Sequence, residues 1–234
     1  MRILIVAATA FEIRPLADKL PLISHESEFL TTHLHNRSTV DILIPGVGMV
    51  LTAWHLGKLL ASRKYDFAIN AGIAGAFDLN MKIGSVVNVT EDCITELGAE
   101  DGDNFISIFD LGLMDPDQLP YRGGRLVNTT KIKSSVVDGL PSVVGSTVNT
   151  IHERRTGGQA DGRTGGRADE RSIDVESMEG AAFLYGCLSE NIPCVQVRSI
   201  SNYIEERDKS RWNVKLALDN LNKTLLEILR EISN

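Results

Sequence analysis

The chain has 234 residues, 43% of them apolar, enough for one large domain with a substantial core. Its 31 acidic against 24 basic residues leave a net charge of −7, which argues against a nucleic-acid partner, because such binding draws on clustered Lys and Arg. Three cysteines, Cys93, Cys187 and Cys194, form no C-x-x-C and support neither a disulfide framework nor a zinc knuckle, so a reducing cytoplasm is expected.

The first apolar run, "ILIVAA" (3–8), reads as a strand. It is shorter than a signal-peptide core and is followed at once by Glu12 and Arg14. No stretch approaches the ~18 apolar residues of a membrane span, so neither secretion nor membrane insertion is expected. Ile13, Leu16, Ala17 and Leu20 then follow helical spacing, with Thr9 near the start and Pro15 expected in the first turn. Further β-rich runs lie at 40–44, 66–71, 84–90, 142–148 and 193–200. The runs "MVLTAWHLGKLL" (49–60) and "MEGAAFLYGCL" (178–188) predict helices, and Val214, Leu218, Leu221, Leu225, Ile228 and Ile232 line one face of a closing helix. This alternation predicts an α/β fold with a central, largely parallel sheet covered by helices.

Within this order, "RTGGQAD" (155–161) and "RTGGRAD" (163–169) repeat in a Gly- and Arg-rich stretch. A flexible surface loop over 153–171 is the reading its glycine pairs favour; an anion-binding patch of Arg154, Arg155, Arg163, Arg167 and Arg171 is the sharper one.

Several motifs exclude chemistries. "PGVGMVL" (45–51) follows a strand and opens a helix, but Leu51 stands where a dinucleotide fingerprint needs its third glycine, so no nicotinamide or flavin cofactor is expected. Either Gly46 and Gly48 make a tight turn only, or they let the backbone approach a small ligand with Val47 lining it. "INAGIAGAF" (69–77) is a second strand rich in glycine, where Gly72 and Gly75 leave room for something flat; two such turns suggest one crevice. His25, His33, His35, His55 and His152 lack metal-ligand spacing, and no metal is expected. Neither a G-x-S-x-G elbow nor a Walker lysine loop is present, which leaves carboxylates as the chemical groups. Glu12 lies in the first turn after the first strand, and Glu179 opens a helix within "VESMEGAAF" (175–183). Either acid taken alone reads as a helix cap.

Glu12, the two glycine turns, "SMEGAA" (177–182) and "VRSISN" (197–202) occur in an order that resembles the nucleoside phosphorylase and nucleosidase superfamily, over about 200 residues. Within it, "ITELGAEDGDNF" (94–105), "TVNTIH" (147–152) and "VRSISNYIEERDKSRWN" (197–213) resemble the futalosine hydrolases, which release hypoxanthine from futalosine on a route to menaquinone. The resemblance implies a single three-layer αβα domain over 1–234 around a mixed, mostly parallel, partly closed sheet, as in purine nucleoside phosphorylases. It also implies a small-molecule nucleoside substrate, no cofactor, and a homodimer or higher oligomer.

Carried over by position, Glu179 resembles the acceptor of both ribose hydroxyls, Met178 the residue under the sugar, and Glu12 the group that orients and deprotonates a water. Arg198 resembles the residue that helps hold that water and Glu12. Asn202 falls where adenine-releasing relatives carry an aspartate, with Ser201 orienting the amide. A 6-oxopurine offers two acceptors on one edge, which an amide can meet as donor and a carboxylate would repel. Ile73, Ala74, Gly75, Thr150 and Ile151 complete the implied nucleoside pocket, although Thr150 stands where many relatives have a base-stacking aromatic. Trp212 and Val47 are expected to wall the 5′ substituent, and Arg211, Lys209 or Arg207 to pair its carboxylate. Phe105 is expected to cover the pocket from a neighbouring subunit. Asn70 and "ATAFE" (8–12) replace the cations that phosphorylases use for phosphate, which favours water as nucleophile. The alternatives are another 6-oxopurine nucleoside hydrolase or phosphorylase, and a silent nucleoside-binding protein, from which joint retention of Glu12, Arg198 and Glu179 points away.

Overall fold

The computed structural model describes residues 1–102, 104–151, 173–204 and 212–233. The chain runs β1 (Arg2–Val6), α1 (Ala10–Ala17), β2 (Leu22–His25), β3 (Leu30–His35), β4 (Ser38–Leu43), α2 (Met49–Ser62), β5 (Phe67–Ala76) and β6 (Val86–Ile94). It continues with β7 (Gly98–Asp101), β8 (Asn104–Ser107), β9 (Tyr121–Arg122), β10 (Arg125–Val127), α3 (Ser135–Asp138) and β11 (Ser142–Thr147). β12 (Val175–Ser177), α4 (Gly180–Ser189), β13 (Cys194–Tyr203) and α5 (Val214–Ile232) complete it.

Successive side chains of a strand face opposite sides, and β1 shows how this builds three layers. Ile3 and Ile5 pack with Ile13 and Leu16 of α1 and with Leu221, Leu225 and Ile228 of α5. Leu4 and Val6 pack on the other side with Leu56 and Leu60 of α2 and with Phe183 and Leu184 of α4. The result is a mixed sheet between two helical layers, as expected.

At its centre β1 pairs in parallel with β4 and β5, and β5 in parallel with β13. Antiparallel strands extend the sheet beyond β4 (β3, then β2) and beyond β6 (β10, then β9). The strands β5, β13, β6, β11 and β12 pair in sequence, and β12 returns to β5, so this part closes on itself. Small apolar side chains fit its tight interior: Ala74, Ala76, Val87, Val89, Val143 and Val175 cluster with Ile200.

Two irregularities prepare a site. One edge of β5 pairs with β1 as far as Asn70 and with β12 only from Gly75, leaving residues 71–74 without a strand on that side. In β13 the register with β5 shifts between Ile200 and Asn202, a bulge that re-aims the end of the strand.

Two local expectations change. Pro15 sits in the second turn of α1, because the helix already starts at Ala10 behind Thr9. The run 178–188 is helical only from Gly180, since Val175–Ser177 is drawn into the sheet by β5 and β11. Gly/Arg repeats 155–161 and 163–169, with the five arginines named beside them and His152, lie outside the described residues.

Far from the strand ends, Asp41 of β4 is fully buried and accepts hydrogen bonds from Arg2 Nε (3.0 Å), Arg63 Nη1 (2.8 Å), Thr32 Oγ1 (2.8 Å) and Tyr65 Oη (2.7 Å). Burial alone would raise its pKa, but hydrogen bonds from Arg2, Tyr65, Arg63 and Thr32 outweigh that and hold it below the usual carboxylate value. A depressed folded pKa adds stability above the unfolded value and loses it as pH falls through the folded one. Asp41→Ala should therefore cost about 3 kcal/mol at neutral pH. In thermal unfolding followed against pH, variant and wild type should converge in acid; parallel curves would contradict this.

Candidate active site

Glu12 reaches the strand ends because α1 starts at Ala10, soon after β1 ends at Val6. Its Oε2 accepts from Thr9 N (2.9 Å) and Thr9 Oγ1 (3.1 Å), a capping arrangement. Its Oε1 accepts from Ile73 N at 3.3 Å, across the open edge of β5. Capping and site formation are thus both properties of one carboxylate, 9% exposed.

Arg198 of β13 is among the largest fully buried side chains, 1% exposed. Its Nη2 donates to Asn70 Oδ1, and Asn70 Nδ2 donates to the Val6 carbonyl at 3.0 Å, so the guanidinium is fixed to the end of β1. Gly72 is what makes room for it: a Cβ there would lie 2.8 Å from Arg198 Nη1 and 3.0 Å from Glu12 Oε1. The space left by this glycine is filled by the protein's own charged groups. Burial lowers the pKa of Arg198, opposed by Glu179, Glu12 and Asp92 in that order.

Glu179 precedes α4 and accepts from Gly48 N at 2.8 Å. Gly46 and Gly48 have φ near +100°, which only glycine adopts readily, so the turn 45–48 is built to bring a backbone N–H to this carboxylate. Burial raises the pKa of Glu179, while Arg198 and the Gly48 N–H oppose the rise. Met178, beside it, is half-buried.

At the end of β13 Ser201 Oγ donates to Asn202 Oδ1 at 2.7 Å, and lies 3.3 Å from the Ala74 carbonyl. That bond assigns the amide: Oδ1 is the acceptor and Nδ2 the donor, with one proton on the Tyr203 carbonyl at 3.1 Å. Gly75 lies under it, since a Cβ there would be 3.2 Å from Asn202 Nδ2. The bulge in β13 is what turns Ser201 and Asn202 toward each other.

Sequence reasoning missed a buried layer behind these groups. Asp92 of β6, fully buried, accepts from Thr147 Oγ1 (2.8 Å) and Gln196 Nε2 (2.9 Å), and Thr147 Oγ1 accepts from Ala181 N (2.8 Å) at the start of α4. The signal was Gly180, whose Cβ would meet Gln196 Nε2 at 2.2 Å and Asp92 Oδ2 at 2.3 Å. Three carboxylates, Glu179, Glu12 and Asp92, thus act on one guanidinium.

The remaining expected residues are less gathered. Val47 is 50% and Ile151 54% exposed, Thr150 is exposed, and Trp212 and Phe105 are half-buried. Arg207, Lys209 and Arg211 lie outside the described residues. Among the described residues no His, Cys, Asp and Glu group has the makings of a metal site, and Cys93, Cys187 and Cys194 are unpaired thiols.

Burial pushes the Asp92 carboxyl up to about 6, with Gln196, Thr147 and Arg198 opposing. A raised folded pKa means that the fold binds more protons than the unfolded chain, so this group costs stability as pH rises between the two values. Asp92→Asn should therefore gain on wild type by about 2 kcal/mol in unfolding free energy between pH 4 and pH 7. Urea unfolding at both pH values tests this, and a constant difference would contradict it.

The family model described as Phosphorylase superfamily matches residues 2–234. The chain is 27% identical over 231 residues to the futalosine hydrolase of Streptomyces coelicolor, covering 93% of this chain and 91% of that one. It is also 27% identical over 243 residues to the 5′-methylthioadenosine/S-adenosylhomocysteine nucleosidase of Maridesulfovibrio salexigens, covering 99% and 100%. The solved structure of futalosine hydrolase from Helicobacter pylori superposes with a TM-score of 0.75 at 15% identity, over 99% of this chain and 98% of that one, which shows the fold. With its three-layer fold and a match running from residue 2 to residue 234, the chain belongs to the phosphorylase superfamily.

Proposed function

We propose that this protein is an N-ribosyl hydrolase that cleaves futalosine with water, releasing hypoxanthine and dehypoxanthinyl futalosine for menaquinone biosynthesis. The observation that supports the reading is the amide of Asn202, whose Oδ1 is engaged by Ser201 so that Nδ2 is the donor; in this reading it serves the purine. A leaving 6-oxopurine gathers negative charge and presents acceptors at N7 and O6, which a donor stabilises. Similarity to futalosine hydrolases over most of the chain supports the same substrate.

In this reading Glu179 accepts the ribose hydroxyls and Met178 packs under the sugar. Glu12, with Arg198 beside it, holds a water against C1′. The C1′–N9 bond breaks, its electron pair stays on the purine, and the sugar passes through an oxocarbenium-like state that the surplus of carboxylates favours. Water oxygen bonds to C1′ as Glu12 takes its proton. Asn70 is occupied by Arg198 and the Val6 carbonyl, so the position where phosphorylases carry an arginine offers a neutral amide.

Val47 and Trp212 wall the 5′ substituent. The exposed Val50, Leu51 and Trp54 on one face of α2 suit assembly into a homodimer or higher oligomer, and we place the enzyme in the cytoplasm.

A second reading, adenine release from methylthioadenosine, is favoured by the nucleosidase relative matched over nearly the whole chain. Hypoxanthine and adenine release from futalosine, inosine and methylthioadenosine, each with and without phosphate, separates these. We expect release from futalosine alone, indifferent to phosphate; adenine release or phosphate-dependent turnover of inosine would overturn the proposal. Glu12→Gln should keep nucleoside binding and lose about 10²- to 10⁴-fold in kcat, and unchanged turnover would remove Glu12 from its role. Asn202→Asp should lower futalosine turnover at pH 7.5 by about tenfold or more and regain part of it as pH falls and the carboxyl protonates. A pH-independent ratio to wild type would contradict the donor role.

A further inference from the structure

Helix α1 carries a proline in its second turn, and the ring at Pro15 removes the N–H that would bond the Phe11 carbonyl. One residue further on, a side chain from the far end of the sequence enters the helix. Leu16 N donates to Asn222 Oδ1 at 2.9 Å, and Asn222 Nδ2 donates to the Glu12 carbonyl at 2.8 Å. In an uninterrupted helix that N–H and that carbonyl would bond each other. Asn222 therefore bridges them with an amide, which has both a donor and an acceptor to offer. Its second Nδ2 proton goes to the Leu218 carbonyl at 2.8 Å, and the residue is 2% exposed. Aspartate here would face two carbonyl oxygens without a proton, and leucine would strand the Leu16 N–H and the Glu12 carbonyl.

The same helix, α5, is fixed at its start to the base end of the site. Asn213 N donates to the Ser201 carbonyl at 2.9 Å, and the Asn213 side chain caps α5 by accepting from Leu216 N at 3.1 Å. From residue 213 to residue 222 is ~13 Å of helix. One rigid element thus touches the backbone of Glu12 at one point and the neighbour of Asn202 at another.

We infer that Asn222 is a positioning residue for Glu12, and that α5 acts as a strut setting the distance between the water-activating carboxylate and the amide that receives the purine. This rests on the role proposed above for Glu12. The contacts proposed for Met178 and Glu179 with the sugar are not involved, so the consequence falls on the chemical step: a carboxylate displaced by a fraction of an ångström still leaves the ribose clamp of Glu179 intact.

The test is steady-state kinetics of hypoxanthine release from futalosine by Asn222→Ala, read beside Leu225→Ala, a core truncation in the same helix, and Glu12→Gln. We expect Asn222→Ala to lower kcat about 10- to 100-fold with KM within about threefold, while Leu225→Ala lowers the unfolding midpoint but keeps kcat when assayed well below it. Should Asn222→Ala not fold, Asn222→Ser, which retains one donor and one acceptor, is read by the same criteria. If kcat of the Asn222 variant stays within about twofold of wild type, or only KM rises, or Leu225→Ala loses kcat to the same extent, the inference is overturned. The two levels separate cleanly: an active Glu12→Gln removes the base role itself, whereas an inactive Glu12→Gln beside a fully active Asn222→Ala removes only the strut.

Discussion

The site depends on keeping one guanidinium in the interior. Arg198 is 1% exposed, and a cation so placed is tolerated only when hydrogen bonds and opposite charges replace its water. Asn70 supplies the fixed hydrogen bond, and Glu179, Glu12 and Asp92 supply the field. Each of these comes from a different strand or helix start, so the charge can be satisfied only when the whole sheet is assembled. The same requirement explains Gly72, since any side chain there would displace the guanidinium or the Glu12 carboxylate.

The fold meets this requirement through β5. Its run of small residues lets three strands and two charged side chains crowd around it, and the interval between β1 and β12 leaves the Ile73 N–H open to Glu12. Closure of β5, β13, β6, β11 and β12 then brings Asp92, Gln196 and Thr147 up behind Glu179. In the proposed reaction the acids and Arg198 face the sugar, which becomes cationic, and the neutral Ser201–Asn202 amide faces the purine, which becomes anionic.

Much of this was legible from the sequence where the signal is local. The helix periodicity after β1, the glycine turns at 46–48 and 72–75, and the polar end of the strand at 201–202 each depend on neighbours in the chain, and they gave the fold class and singled out Glu12, Glu179, Arg198 and Asn202. What could not be read depends on pairs far apart. Asp92 and Gln196 meet across strands a hundred residues apart, and nothing local distinguishes Asp92 from an ordinary surface acid. Pro15 looked like a first-turn residue because the amide that bridges the helix one residue further on, Asn222, lies at the other end of the chain. Strand β12 was hidden because three residues of "VES" take their extended form from β5 and β11, not from their own propensity.

The central claim is that this arrangement delivers water, and nothing else, to C1′. Turnover of futalosine in ¹⁸O-labelled water with phosphate present, followed by mass spectrometry of the released sugar, tests it most directly. One ¹⁸O in the C1′ hydroxyl and no sugar 1-phosphate is the expected result. Accumulation of a sugar 1-phosphate, with the label absent from C1′, would contradict it.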